Sequence, residues 1–301
     1  MSKRSLTRMT VLVLSACALG AVPGLALAGN VVVARSSELG PYTALEKAFA
    51  EALGQATTSI SLAAAGGRAE LEKALSAQPA LLLAIGSDAA RVASELKPGC
   101  PVIVALVPDP RMVGLAANTP FVPMFVPPAR QLKVVRAILP SVQKLGIIYD
   151  PALSTGLAAE CQSAATAAKL TLVRKEVGAR KDVIGAAREL IGEVDAVWLI
   201  PDTTVIAADT FKFVMVTSLG AKVPVIAFSE GMSKAGAVLA VEADYGEMGV
   251  KAAKAARRLL VGGAEGPEAP EGTIYLNAKS AAMLGLTLSP AMRAQAAKTF
   301  E

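Results

Sequence analysis

The sequence predicts an α/β chain made of two Rossmann-like lobes with parallel sheets, joined by a multi-strand hinge. Three observations carry that expectation. Short β-branched runs alternate with amphipathic stretches along 301 residues, the pattern of parallel sheets covered by helices on both faces. The order strand, turn, helix then repeats. Residues 31–34 are echoed by 146–149, 80–85 by 196–200 and 100–105 by 223–227, at offsets of about 115 to 123 residues. Between the copies runs a proline-rich segment, 120–128, which suits a hinge better than a floppy linker.

Taken in order, strands are expected at 31–34, 59–62, 81–85 and 102–106, with helices at 42–53, 68–76 and 88–96 between them. After the crossing come a helix at 128–139, a strand at 145–149, a helix at 154–169, a strand at 170–174 and a helix at 180–191. A strand at 196–200, a helix at 203–219 and a strand at 223–228 complete the second copy. Runs this short, each followed by a helix, read as buried parallel strands. The chain then continues through a strand at 238–241, a long helix at 245–261, a Gly/Pro-rich loop at 262–272 and a strand at 273–276. A helix at 278–286 and a cap at Ser289-Pro290 end it. This tail is expected to rejoin the first lobe, so that 29–120 with 246–301 form the N-terminal lobe and 121–245 the C-terminal lobe. Ligands of open α/β sheets sit outside the carboxyl ends of the strands, so two sets of strand-end loops should face each other across a cleft.

The composition, 53% hydrophobic and 18% charged, excludes a disordered chain. There is no histidine, which removes Ser-His-Asp and Cys-His pairs, HExxH helices and imidazole metal sites. Residues 1–28 read as a secretory signal peptide. Lys3, Arg4 and Arg8 form a basic start, an apolar run follows, and Ala26-Leu27-Ala28 offers cleavage after Ala28. Leu14-Ser15-Ala16-Cys17 also fits a lipoprotein pattern anchored at Cys17. The leader holds three of the 30 Lys+Arg and none of the 25 Asp+Glu, so the remainder carries 27 against 25, a net of +2 instead of +5. Without a basic run elsewhere, nucleic acid is not an expected partner. Cys100 and Cys161 are expected to remain unpaired in different lobes.

Four segments resemble one family. They are Arg35-Ser36-Ser37-Glu38-Leu39-Gly40-Pro41-Tyr42, Ala84-Ile85-Gly86-Ser87-Asp88-Ala89-Ala90, Lys144-Leu145-Gly146-Ile147-Ile148-Tyr149-Asp150-Pro151, and Asn277-Ala278-Lys279-Ser280-Ala281-Ala282-Met283-Leu284-Gly285-Leu286. The chain resembles ABC-transporter substrate-binding proteins of the class whose best-known members bind tryptophan and other aromatic amino acids, with the type I periplasmic-binding fold. It departs from that pattern at Asn118-Thr119-Pro120-Phe121, where relatives carry an Asn-Ile-Thr-Gly-like run.

Candidate ligand contacts lie where strands end. Ser36 and Ser37 precede the helix near Tyr42, and Gly86 with Ser87 precedes the next but one. Their hydroxyls, and the free N–H groups of a helix start, suit a carboxylate, while a plain N-cap is the competing role. In the second lobe the matching positions are Tyr149, Ser154 and Thr155, then Asp202 and Thr203, then Ser229 and Glu230. Asp202 or Glu230 would suit an ammonium group, and Asp202 equally suits a cap. Asp244 would cap the long helix or face the cleft. Tyr42, Tyr149, Tyr245, Phe121, Phe125 and Phe228 cluster at strand ends or at the crossing, as a ligand with a flat or apolar part would require, whereas Trp198 reads as core.

The function this implies is the periplasmic solute-binding component of an ABC importer. It would capture a small molecule, an amino acid or a related compound, by hinge closure, and work as a monomer with a membrane permease as partner and without a cofactor. The alternative is a periplasmic ligand-sensing module that signals to a receptor through the same cleft. A secreted carboxylate-type enzyme is disfavoured by the lack of a paired Asp/Glu motif and of metal-ligand spacing.

Overall fold

A computed structural model describes residues 29–108 and 113–301; the signal-peptide and Cys17 expectations lie outside them. The first lobe is a five-stranded, wholly parallel sheet in the order β2-β1-β3-β4-β5. Its strands are β1 (Val31–Arg35), β2 (Thr57–Ser61), β3 (Leu81–Ile85), β4 (Val102–Ala105) and β5 (Phe121–Val122), with helices α1 (Gly40–Leu53), α2 (Gly67–Ser76) and α3 (Ser87–Leu96). Alternate side chains of each strand leave on opposite faces. Val31, Val33, Leu81 and Leu83 therefore join the core beneath α1, while Val32, Ala34, Leu82 and Ala84 join a second core on the other face. Every residue of β3 is fully buried, and burying a Leu, Ile or Val side chain contributes about 1.5–3 kcal/mol.

The chain enters the second lobe through α4 (Pro128–Ile138). There follow β6 (Lys144–Tyr149), α5 (Pro151–Ala167), β7 (Thr171–Glu176), α6 (Val183–Ile191), β8 (Ala196–Trp198), α7 (Ala208–Gly220), β9 (Val225–Ala227), α8 (Glu230–Lys234) and β10 (Leu239–Glu242). Next come α9 (Tyr245–Leu260), β11 (Thr273–Asn277), α10 (Ala278–Met283), α11 (Pro290–Arg293) and β12 (Lys298–Phe300). The second sheet has seven strands, β12-β11-β10-β9-β8-β6-β7, parallel except for the β10/β11 pair. Trp198 is fully buried in it.

The strand pairing differs from the expected lobe boundaries at both ends. The tail 246–301 does not return to the first lobe as a unit. Helix α9 packs lengthwise on α1, but β11 pairs with β10 and β12 with β11, so 273–300 extends the second sheet. At the other boundary, Phe121 and Val122 pair with Val104 and Ala105 and still belong to the first sheet. Helix α7 begins at Ala208, not at 203, because the Asp202 carboxylate accepts the Thr204 and Val205 amides in a turn and Thr210 Oγ1 accepts the Ala207 amide at the helix start.

Three crossings therefore join the lobes: 123–127, the step from β10 to α9, and 261–272. They meet where Val126, Val241 and Gly272 touch. Gly272 has φ +91°, and a Cβ there would lie 2.5 Å from Val126 Cγ2 and 2.9 Å from Val241 Cγ1. The third crossing is also tied down by Arg130, whose Nη1 donates to the Ala269 carbonyl at 2.6 Å and pairs with Glu271 at 2.7 Å. Gly272→Ala is expected to destabilise the protein by about 2–3 kcal/mol, from the left-handed φ plus overpacking, as read by urea unfolding; a loss below about 0.5 kcal/mol would show that the three crossings are not tightly packed together.

Candidate functional site

At the carboxyl edge of the first sheet, three of the expected residues come into contact. The loop after β1 places Ser36 so that its Oγ accepts the Ala89 amide at 2.9 Å. Ser36 thus caps α3 from a neighbouring loop, while Gly86, the local N-cap position, supplies no side chain. Gly86 has φ +94°, and a Cβ there would lie 2.6 Å from Tyr42 Cε1 and 2.7 Å from Ser36 Oγ. Ser36, Tyr42 and Gly86 therefore form one tight group at the start of α3, where Ser87 is half-buried. Ser37 Oγ accepts the Leu39 amide at 3.2 Å, a local turn.

Tyr245 follows the β10-to-α9 crossing. Partial burial pushes its hydroxyl above the usual tyrosine range, followed by the Glu242 carboxylate and the Tyr42 phenol. Glu242, the last residue of β10, accepts the Glu230 amide at 2.8 Å through Oε2. It also raises Tyr275, after burial. Glu242 is not among the residues expected from sequence, although the same strand-end rule reaches it.

In the second lobe the capping roles prevail. Asp202 is 2% exposed; its Oδ2 accepts the Asp150 amide at 2.8 Å and its Oδ1 those of Thr204 and Val205 at 2.9 and 3.2 Å. Asp150 Oδ2 in turn accepts the Thr204 hydroxyl at 2.8 Å. Asp202 therefore staples the loops after β6 and β8 together, both its oxygens bonded to backbone amides in a site nearly closed to solvent. Glu230 pairs with Lys298 at 2.9 Å. Ser229 caps α8 and Asp244 caps α9. The Thr155 hydroxyl donates to the Pro151 carbonyl at 2.6 Å, and Thr203 is exposed. Tyr149 is 3% exposed and points into the core. Its hydroxyl donates to Glu176 Oε1 at 2.5 Å, and that bond, then burial, raises it above the usual tyrosine range.

Ser154 behaves differently. It breaks α5 with φ −126° and ψ 15°, is 6% exposed, and lines a cavity of about 330 Å³. The first lobe contributes Pro108 and Phe121 to that cavity, the first crossing contributes Met124 and Phe125, and the second lobe contributes Leu157 and Pro201. Phe125 packs edge-on against Phe228, with centroids 5.7 Å apart at 76°. Of the polar residues expected at the site only Ser154 lines this cavity, together with Phe121 and Phe125 of the expected aromatic cluster; Ser36, Tyr42 and Gly86 form the separate first-lobe group. Among the described residues no cluster of His, Cys, Asp and Glu could hold a metal, and no helix is long and apolar enough to cross a membrane. Cys100 and Cys161 are free; burial pushes the Cys161 thiol up to about 12, with Glu160 adding to it.

The family model for ABC transporter substrate binding proteins matches residues 63–300. A tyrosine-binding protein of Clostridioides difficile is 25% identical over 192 residues, 60% of this chain and 55% of the relative, so the chain matches only about half of that relative's length. An open, ligand-free substrate-binding protein with adhesive properties from Clostridium difficile superposes with a TM-score of 0.73 at 18% identity, covering 91% of this chain and all of the other. An ABC domain from Streptococcus pneumonia in complex with L-Trp gives 0.59 at 21% identity, covering 90% of this chain and 99% of the other. The two-lobed α/β fold is thus that of type I periplasmic binding proteins.

Proposed function

Because the chain belongs to the family of ABC transporter substrate-binding proteins, we propose that it captures an amino acid with an apolar or aromatic side chain between its lobes and passes it, chemically unchanged, to the membrane permease of an importer. The observation that carries this reading is the cavity at the first crossing, walled by both lobes, whose lining side chains are apolar apart from Ser154 and Glu160. In this reading the ring enters beside Phe121, Met124 and Phe125. The carboxylate meets the start of α3 at Ser36, Gly86 and Ser87, where a helix offers unpaired N–H groups and partial positive charge. Glu242 takes the ammonium group in place of Asp202 and Glu230.

Adjacency supports this division. Val126 of the first crossing and Val241 both crowd Gly272, Val241 precedes Glu242, and the charge of Glu242 is felt by Tyr245. Closing the hinge adds contacts from the opposite lobe that an open form lacks, which is the free energy that drives closure. The likeness to relatives described as binding tyrosine and L-Trp agrees with the choice of ligand. Export through residues 1–28, with or without a lipid at Cys17, places the protein outside the cytoplasmic membrane.

A thermal-shift panel of amino acids, aryl amines and aryl acids tests the proposal. A ligand at 100 times its Kd adds about 2.7 kcal/mol of stability, which for a chain of this size is on the order of 5–10 °C. The aromatic amino acids are expected to give the largest shifts, to be lost in Ser154→Leu, and to be recovered intact by mass spectrometry. Shifts confined to compounds without an amino-acid head group, or conversion of the bound compound, would overturn the assignment.

A further inference from the structure

A second cavity, of about 290 Å³, lies at the other pole of the second lobe. Val223 and Val225, at the start of β9, and Asn277, at the end of the antiparallel β11, bound it, which places it on the amino edge of the parallel strands, opposite the cleft. Its walls are Met215, Leu219, Met283 and Leu284. Ser280 lines it and is 8% exposed. The Ser280 amide donates to Asn277 Oδ1 at 2.8 Å, but its hydroxyl has no partner among the described residues. The oxygen is reachable from the cavity, so the hydroxyl is free to donate to an acceptor held there. Gly236 keeps the space above it open; a Cβ there would stand 3.6 Å from Ser280 Oγ.

Two exposed lysines, Lys234 and Lys279, flank the mouth. Neither pairs with a carboxylate among the described residues. Apolar walls, a hydroxyl free to donate and two exposed cations define a complement: a compact apolar body ending in one negative group. We propose that this pole binds an amphipathic monocarboxylate with an apolar part of about eight carbons, since the volume is at the small end of the range for small-molecule sites. The Ser280 hydroxyl donates to a carboxylate oxygen, and Lys234 and Lys279 face the charge. The site shares no residue with the cleft, so it stands or falls separately from the proposed transport role.

The full chain, labelled with [methyl-13C]methionine, distinguishes the two sites in one spectrum, because Met215 and Met283 line this cavity and Met124 the cleft. Octanoate is expected to shift the Met215 and Met283 methyls saturably while leaving Met124 in place, and octylamine to leave all three unmoved. The double variant Lys234→Glu/Lys279→Glu is expected to bind octanoate about tenfold more weakly and to gain affinity for octylamine. Saturable movement of Met124 alone, no saturable shift, or equal affinity for octanoate and octylamine would overturn the assignment, the last because it would reduce the cavity to an apolar patch without charge selection.

Discussion

Asp202→Ala is expected to lower the unfolding free energy by about 3–5 kcal/mol, the largest loss of any single substitution outside the apolar core. The carboxylate satisfies three backbone N–H groups in two loops, Asp150, Thr204 and Val205. Alanine leaves the Asp150 and Thr204 amides without an acceptor in a site only 2% exposed, while the Val205 amide keeps the Asp202 carbonyl at 3.2 Å, and each buried donor without an acceptor costs about 1–3 kcal/mol. The turn ahead of α7 loses its organising group at the same time. An asparagine at this position would keep one acceptor oxygen for Thr204 and Val205 but turn an NH2 toward the Asp150 amide, so Asp202→Asn should recover about half of the loss. Urea unfolding of the three proteins measures this; an alanine variant within 1 kcal/mol of the parent would refute the staple role and restore Asp202 as a candidate ligand contact.

The second large effect is on the first-lobe group. In Gly86→Ala the new methyl meets Tyr42 at 2.6 Å and Ser36 at 2.7 Å while the backbone stays at φ +94°. Either both neighbours move or the loop does. Stability should fall by about 2–4 kcal/mol, from overpacking plus the cost of a left-handed alanine. Moving Ser36 also uncaps α3. The affinity for the cleft ligand is expected to drop about thirtyfold or more, roughly 2 kcal/mol, measured by titration calorimetry on protein shown by circular dichroism to be folded. Gly185→Ala is the matched control, since a methyl on that helical glycine meets nothing within 4 Å; it should leave binding unchanged. Equal affinities for the two alanine variants would detach Gly86 from the site.

What could be read from the residues follows from how much physics each local pattern carries. Runs such as Val31 to Ala34 and Leu81 to Ile85 are buried on both faces, so hydrophobicity alone marks them. Strand β5 has two residues and β12 three, too few for any periodicity, and the expected lobe boundaries miss at those two points. The turn of β11 into an antiparallel neighbour of β10 depends on a loop whose composition says only that it is a loop. At the site, the difficulty is chemical. A carboxylate after a strand and before a helix looks the same whether it caps, staples or binds, and only the bonding partners separate Asp244 and Asp202 from Glu242. Ser154 is legible as a strand-end residue, but the backbone break that turns it into the cavity is not, because the sequence starts a helix at Ser154 itself and gives no sign of the turn of helix from Pro151 that precedes the break.

The docking of α9 on α1 bears on the order of assembly. Leu45, Phe49 and Leu53 are sealed from water on the α1 side, and α9, which packs against α1, is synthesised about 200 residues after it. An emerging polypeptide can pair β6 to β10 of the second sheet before the first lobe has its last helix, and until then the core that α1 shares with α9 lacks its outer layer. Contacts of such wide sequence separation slow folding, so late maturation of the amino-terminal half, with a need for protection while it waits, is built into the threading of the chain.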